Sequence, residues 1–282
     1  MIATAWRVFG ARASVDPVPA SVREPVIDLP NLTATVDEAL FHARGIGRFH
    51  VRSGREVRID PDSGAPPSIL ETLLYGTVAG LVLVQRRRFA LHASTVRIGD
   101  RLVAIAGASG AGKSTTVGLL AGRGHALVSD EVTALVPRPD PATGATTVTA
   151  QGSGGKLRLW RSAAERLGLA EEDGVGIIGG KHAYPFDRPR RGGRLGLVIA
   201  LGVADGAGPL AAVRLGGVDA VQALLADTYR PVLRALHPEA YLRWAATVAG
   251  AVPVVRILRP GDGWTGDEVA AAVERAAGLD FS

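Results

Sequence analysis

The sequence contains no cysteine, so disulfide staples, thiolate metal sites and cysteine nucleophiles are excluded for want of the atom, and the cytoplasm is the expected compartment. Long apolar runs are missing as well. The most apolar stretch, 69–84, carries Glu71, Thr72, Tyr75 and Thr77, so no membrane span or membrane partner is expected. Residues 1–14 are interrupted by Arg7, Gly10 and Arg12, which argues against an export signal. Aromatic residues make up 5% of the chain, and the arginines are scattered rather than interleaved with them, so nucleic acid is a disfavoured partner despite a net charge of +5. No internal repeat is visible.

Lysine is the scarcer of the two strongly basic residues. Of 32 Lys and Arg residues, only Lys113, Lys156 and Lys181 are lysine, and each follows a glycine. Lysine is a compact point charge where arginine is a broad planar fork, so a retained lysine marks a place that needs the smaller cation.

What is present suffices for a packed core: 282 residues with 47% apolar content. Residues 1–65 carry short alternating apolar runs such as Val51, Val57 and Ile59, broken by Gly and Pro. They read as a small β-rich N-terminal lobe, with 66–282 as the main domain. Pro66-Pro67-Ser68 predicts a helix over 69–84, with Ser68 as its cap and Glu71 closing a capping box. Gly99-Asp100 between two apolar runs predicts a hairpin. A helix over 115–123 and a strand over 126–128 follow. Beyond lie a polar connection at 138–155, a Gly- and Arg-rich loop at 174–194 and a strand near 195–201. Helices near 218–227 and 239–249, a strand at 252–258 and a helix from 266 complete the order.

The chemistry is concentrated at Gly107-Ala108-Ser109-Gly110-Ala111-Gly112-Lys113-Ser114, which fits G-x-x-x-x-G-K-[ST] and stands between a strand and a helix start. Glycines let backbone N–H groups turn inward around phosphates, and the helix N-terminus adds unpaired N–H groups and a positive dipole end. Lys113 would reach the β- and γ-phosphates of ATP, the Ser114 hydroxyl would ligate Mg²⁺, and Thr115 completes the nucleotide-binding set. Seventeen residues after Lys113 the strand at 126–128 ends in Asp130-Glu131, delivering two carboxylates to the same face. One of them, Asp130 as metal ligand, would hold Mg²⁺ while the other takes the proton of an attacking hydroxyl; spacing alone leaves the order open. His92, at the end of the strand paired with the loop's strand, would stand beside the carboxylates and orient one of them.

Leu91-His92-Ala93-Ser94, the glycine-rich loop, Arg123-Gly124-His125 and Val128-Ser129-Asp130-Glu131 together resemble the core of the HPr kinase/phosphorylase family. The resemblance covers roughly 70–260. It implies an α/β fold with a P-loop core of the phosphoenolpyruvate-carboxykinase-like type, and a serine kinase in which His92 and, by position, Glu131 assist proton transfer. The family usually has aspartate there. Where its bifunctional members carry a glutamate metal ligand, this chain has Lys156, which leaves phosphorylase activity without support. Gly180-Lys181-His182-Ala183-Tyr184-Pro185 is similar to a segment of shorter HPr-kinase-related proteins, among them lasso-peptide tailoring kinases that phosphorylate a precursor's serine. This likeness implies that Lys181 contacts the transferring group, and that the acceptor is a peptide or small protein. Arg188, Arg190, Arg191 and Arg194 come next and would grip an acidic or phosphorylated segment.

Two other functions fit the same loop: a kinase of small-molecule hydroxyls and a nucleotide switch without an acceptor. A transporter ATPase does not, because no Leu-Ser-Gly-Gly-Gln occurs. Homo-oligomerisation is left open by the sequence.

Overall fold

The computed structural model describes residues 6–153, 156–170, 173–177, 180–185, 192–206 and 208–278. Seven strands come first: β1 (Trp6–Val8), β2 (Ala11–Val15), β3 (Ile27–Leu29), β4 (Leu32–Ala34), β5 (Glu38–Ala43), β6 (Gly47–Arg52) and β7 (Glu56–Pro61). They form one sheet in the order β1-β2-β7-β6-β5-β4-β3. Alternation places Phe49, Val51, Val57 and Ile59 on its buried face.

A helical segment then crosses the core as α1 (Pro67–Leu73), a π-turn (Leu74–Val78) and α2 (Ala79–Gln85). By length and composition this segment, Pro67–Gln85, is long and apolar enough to cross a membrane, but two-thirds of it is buried inside the fold. Ser68 does not cap it. The N-cap is Pro66 with Pro67 at the first turn and no side-chain cap bond, since proline pre-sets φ and has no N–H to satisfy. Glu71 instead meets Lys156 at 2.6 Å.

The central sheet contains β8 (Phe89–Ile98), β9 (Arg101–Ala106), β10 (Ala126–Ser129), β11 (Val132–Pro139), β12 (Thr146–Gly152), β16 (Gly192–Val203), β17 (Ala211–Leu215) and β18 (Val254–Arg259). The Gly99-Asp100 turn joins β8 to β9, in register Ile98 to Arg101. Two long strands each serve several partners. The first half of β8 pairs with β11 and the second with β9 and β10. The start of β16 pairs with β12, and its remainder runs parallel to β9 and β18. The segment 138–155, read from sequence as a connection, is largely the β11–β12 hairpin. Its Thr, Gly and Pro content hid the pairing.

Alternation along β9 explains the layers. Leu102, Ala104 and Ala106 join one apolar cluster, with α2, α5 (Gly217–Ala226), α6 (Pro238–Ala251) and the N-terminal sheet. Val103 and Ile105 join the other, with α3 (Lys113–Gly122), α7 (Gly266–Gly278), and β13 (Lys156–Trp160). A strand buried on both faces needs such an unbroken apolar run. A small sheet, β13-β15-β14, with β14 at Val175–Gly176 and β15 at Lys181–Pro185, covers one end, and α4 (Arg161–Arg166) packs on β13.

Candidate active site

β9 and β10 run parallel with β8 antiparallel between them, so the C-terminal ends of β9 and β10 and the first half of β8 open at one edge. The loop 107–112 leaves β9 there. Gly107 has φ 151°, and a Cβ on it would lie 2.2 Å from the Leu201 carbonyl oxygen. Gly112 is the N-cap of α3 with φ 107°. Both positions disfavour a side chain. Arg259, at the end of β18, holds the loop from outside: its Nε donates to the Ala111 carbonyl at 2.9 Å and its Nη2 to that of Gly110 at 3.3 Å.

Lys113 opens α3 and is buried; its Nζ donates to the carbonyls of Gly107 (2.8 Å) and Ala108 (3.0 Å). Burial lowers its pKa to about 8, while Asp130 opposes that shift and Lys181 adds to it. Next to it, the Ser114 hydroxyl donates to Asp130 at 3.0 Å (Oδ1) and 3.2 Å (Oδ2). Asp130 is 4% exposed and also accepts from Ser94 Oγ (2.5 Å) and the Arg158 backbone N–H (2.8 Å). These donors meet the hydrogen-bonding need that burial creates for a carboxylate.

Glu131 lines the same cleft. Its φ of 82° is unusual for a residue with a side chain, and its partners differ from those of Asp130. Glu131 is ion-paired with the Arg158 guanidinium, and Tyr229 donates its hydroxyl to Oε1 at 3.1 Å. The π-turn brings Gly76 close to this pair: a Cβ there would sit 3.4 Å from the Tyr229 hydroxyl and 3.5 Å from Glu131 Oε1.

His92 lies within β8 rather than at its end. Its ring packs edge-on against Tyr229, centroids 6.0 Å apart, and makes no hydrogen bond to either carboxylate among the described residues; Asp130 is oriented by Ser94, Ser114 and Arg158 instead. Burial first, then the charge of Lys113, pushes the His92 pKa down to about 4, so the imidazole is neutral at pH 7.

These groups line a cleft of about 480 Å³. Of the residues picked out by sequence, it gathers His92, Ser109, Gly110, Gly112, Lys113, Ser114, Thr115, Asp130, Glu131 and Lys181. Gly107, Ala108 and Ala111 shape the loop behind it. Lys181, on β15, has its ammonium 5.7 Å from the Trp160 ring centroid. Lys156 stays outside, on Glu71. Arg188, Arg190 and Arg191 lie outside the described residues. Sequence reasoning missed Arg158, Tyr229, Arg230 and Arg259. With arginine so abundant, none of the three arginines stood out, and their contacts join residues far apart in the chain.

No cluster of three or more His, Asp or Glu side chains suited to a metal occurs among the described residues. The donor set at Ser114 and Asp130 is all oxygen, which suits a hard cation that keeps most of its own water and takes further oxygens from a phosphate, as Mg²⁺ does.

No protein-family model matches the sequence, and no curated protein matches it. Among solved structures, the HPr(Ser) kinase/phosphatase from Coxiella burnetii matches over 66% of this chain and 86% of its own, at 16% identity and a TM-score of 0.32. So loose a likeness decides nothing about the reaction.

Proposed function

We propose that the chain is an ATP- and Mg²⁺-dependent kinase that transfers the γ-phosphoryl group to the serine hydroxyl of a small protein or precursor peptide. One observation carries the reading: Ser114 and Asp130 are in hydrogen-bond contact beside Lys113 at the mouth of a glycine-walled loop, with Glu131 lining the same cleft. The serine and peptide acceptor rest on the sequence resemblance alone.

In this reading Ser114 and Asp130 hold Mg²⁺, which when bound neutralises charge on the phosphate oxygens. Lys113 gives up the carbonyls of Gly107 and Ala108 for phosphate oxygens, which return to its ammonium the charge partner that burial denies it. Glu131 takes the proton of the acceptor hydroxyl. Asp130 is left to the metal because Ser114, the other metal-holding residue, is already in contact with it. The acceptor oxygen bonds to the γ-phosphorus, the bond to the β–γ bridging oxygen breaks, and its electron pair leaves with ADP. Arg158 and Tyr229 position Glu131 for that proton.

The test incubates the protein with γ-labelled ATP, Mg²⁺ and peptides encoded beside its gene, and locates the label by mass spectrometry. Lys113→Ala is expected to abolish transfer. Glu131→Gln is expected to lower turnover by about 10²- to 10⁴-fold with nucleotide affinity retained. Label appearing only on metabolites, or ATP hydrolysis with no acceptor, would replace this reading with a small-molecule kinase or a nucleotide switch.

A further inference from the structure

Arg230 combines two unfavourable features in the wall of the cleft. Its backbone has φ 48° immediately before Pro231, a conformation that strains a side-chain-bearing residue. Its Nε–H is buried and has no hydrogen-bond partner, an unmet need for a charged donor, while the residue itself lines the cleft. The guanidinium is held in position all the same. Its Nη2 donates to Thr77 Oγ1 at 2.5 Å, and its carbon lies 5.7 Å from the Phe41 ring and 6.0 Å from that of Tyr229. No carboxylate is in ion-pairing range of it among the described residues.

Its place in the cleft narrows what it serves. Arg230 follows Tyr229, which binds Glu131, and it leans on the π-turn and the N-terminal sheet rather than on the loop 107–112. It therefore flanks the proton-accepting carboxylate, on the acceptor's side. Glu131 does not neutralise it, because Glu131 is paired with Arg158. Trp160, 51% exposed, and Ile177 supply apolar lining along the same cleft.

We propose that Arg230 is the acceptor-recognition residue, binding a carboxylate or phosphate monoester carried by a peptide next to its reactive serine. This rests on the kinase reading for the choice of a serine peptide, but its test does not depend on phosphoryl transfer. Fluorescence anisotropy with the full chain, free of nucleotide, would compare three labelled serine peptides of equal length whose neighbouring residue is Glu, phosphoserine or Gln. The wild type is expected to bind at least one anionic peptide about tenfold or more tighter than the Gln peptide, with the preference shrinking as salt rises. The tighter of the two anionic peptides names the group. Arg230→Gln is expected to bring all three within about twofold, and Arg230→Lys, which keeps the charge but loses the fork, to retain part of the preference. Equal binding of the three peptides by the wild type overturns the proposal, as does a preference that survives in a folded Arg230→Gln variant. If that variant does not fold, Arg230→Lys decides: an undiminished preference overturns it. Calorimetry with Mg-ATP on the same preparation reports on the kinase reading separately.

Discussion

Asp227, at the end of α5, shows what a single buried charge does to this fold. Its carboxyl is raised from an ordinary 3.8 to about 6, chiefly by burial, with the charges of Lys113 and Arg256 pulling the other way. The folded state therefore holds this proton more tightly than the unfolded chain. Stability from this group is full below about pH 4, falls as the pH rises toward about 6, and is level above. Asp227→Asn is expected to match the wild type near pH 4 and to exceed it at pH 7 by on the order of 2 kcal/mol in denaturant titrations. A gap that does not change with pH would contradict this. Gly80 tests the Glu131 environment from behind, since a Cβ there would lie 2.8 Å from the Tyr229 ring. Gly80→Ala should displace the ring, release Glu131 and lower kcat while leaving nucleotide affinity intact; an unchanged kcat would show that Tyr229 does not position the carboxylate. Lys113, Ser114 and Asp130 were legible in the sequence because loop, helix start and strand end are fixed over a short span. Arg158, Tyr229 and Arg230 were not, because what makes them notable is folding that brings Tyr229 to Glu131 across 98 residues.

Among the elements, those whose signal is local were readable. The β8–β9 hairpin announces itself in Gly99-Asp100, and α5, α6 and α7 in their helical periodicity. The π-turn at Leu74–Val78 left no mark, because its residues are as apolar as the helices on either side and only packing against Tyr229 and Glu131 gives it a purpose. Strand β17 was missed for a related reason: it is an edge strand, exposed along most of its length, paired with β18 alone. The partner strand β18 ends in Arg259, whose guanidinium holds two carbonyls of the glycine-rich loop. Arg259→Ala frees that loop, so the KM for ATP is expected to rise about five- to tenfold, the equivalent of one such hydrogen-bonded contact, with little change in kcat. Unaltered nucleotide affinity in this variant would mean that the loop keeps its shape unaided.

At the scale of the whole molecule, the N-terminal sheet and the central sheet share one apolar cluster. Phe49, Val51, Val57 and Ile59 pack in it together with Leu70, Leu74, Val78 and Val82, and with Trp244 of α6. Apolar alternation made strands in residues 1–65 legible, but not their partner, because a sheet's buried face does not say what covers it. Phe49→Ala is expected to cost about 3–5 kcal/mol and to lower the unfolding midpoint seen by tryptophan fluorescence, which reports on Trp6 within that sheet and on Trp160, Trp244 and Trp264 beyond it. Two separate transitions would show that the sheets fold independently. The cleft lies where this shared core meets the glycine-rich loop, and the proposed activity depends on what that loop holds. Isothermal titration calorimetry with Mg-ATP tests this most directly. Saturable binding of one nucleotide per chain, lost in Lys113→Ala, is the expected result; no binding by the wild type, or equal binding by the variant, would contradict it.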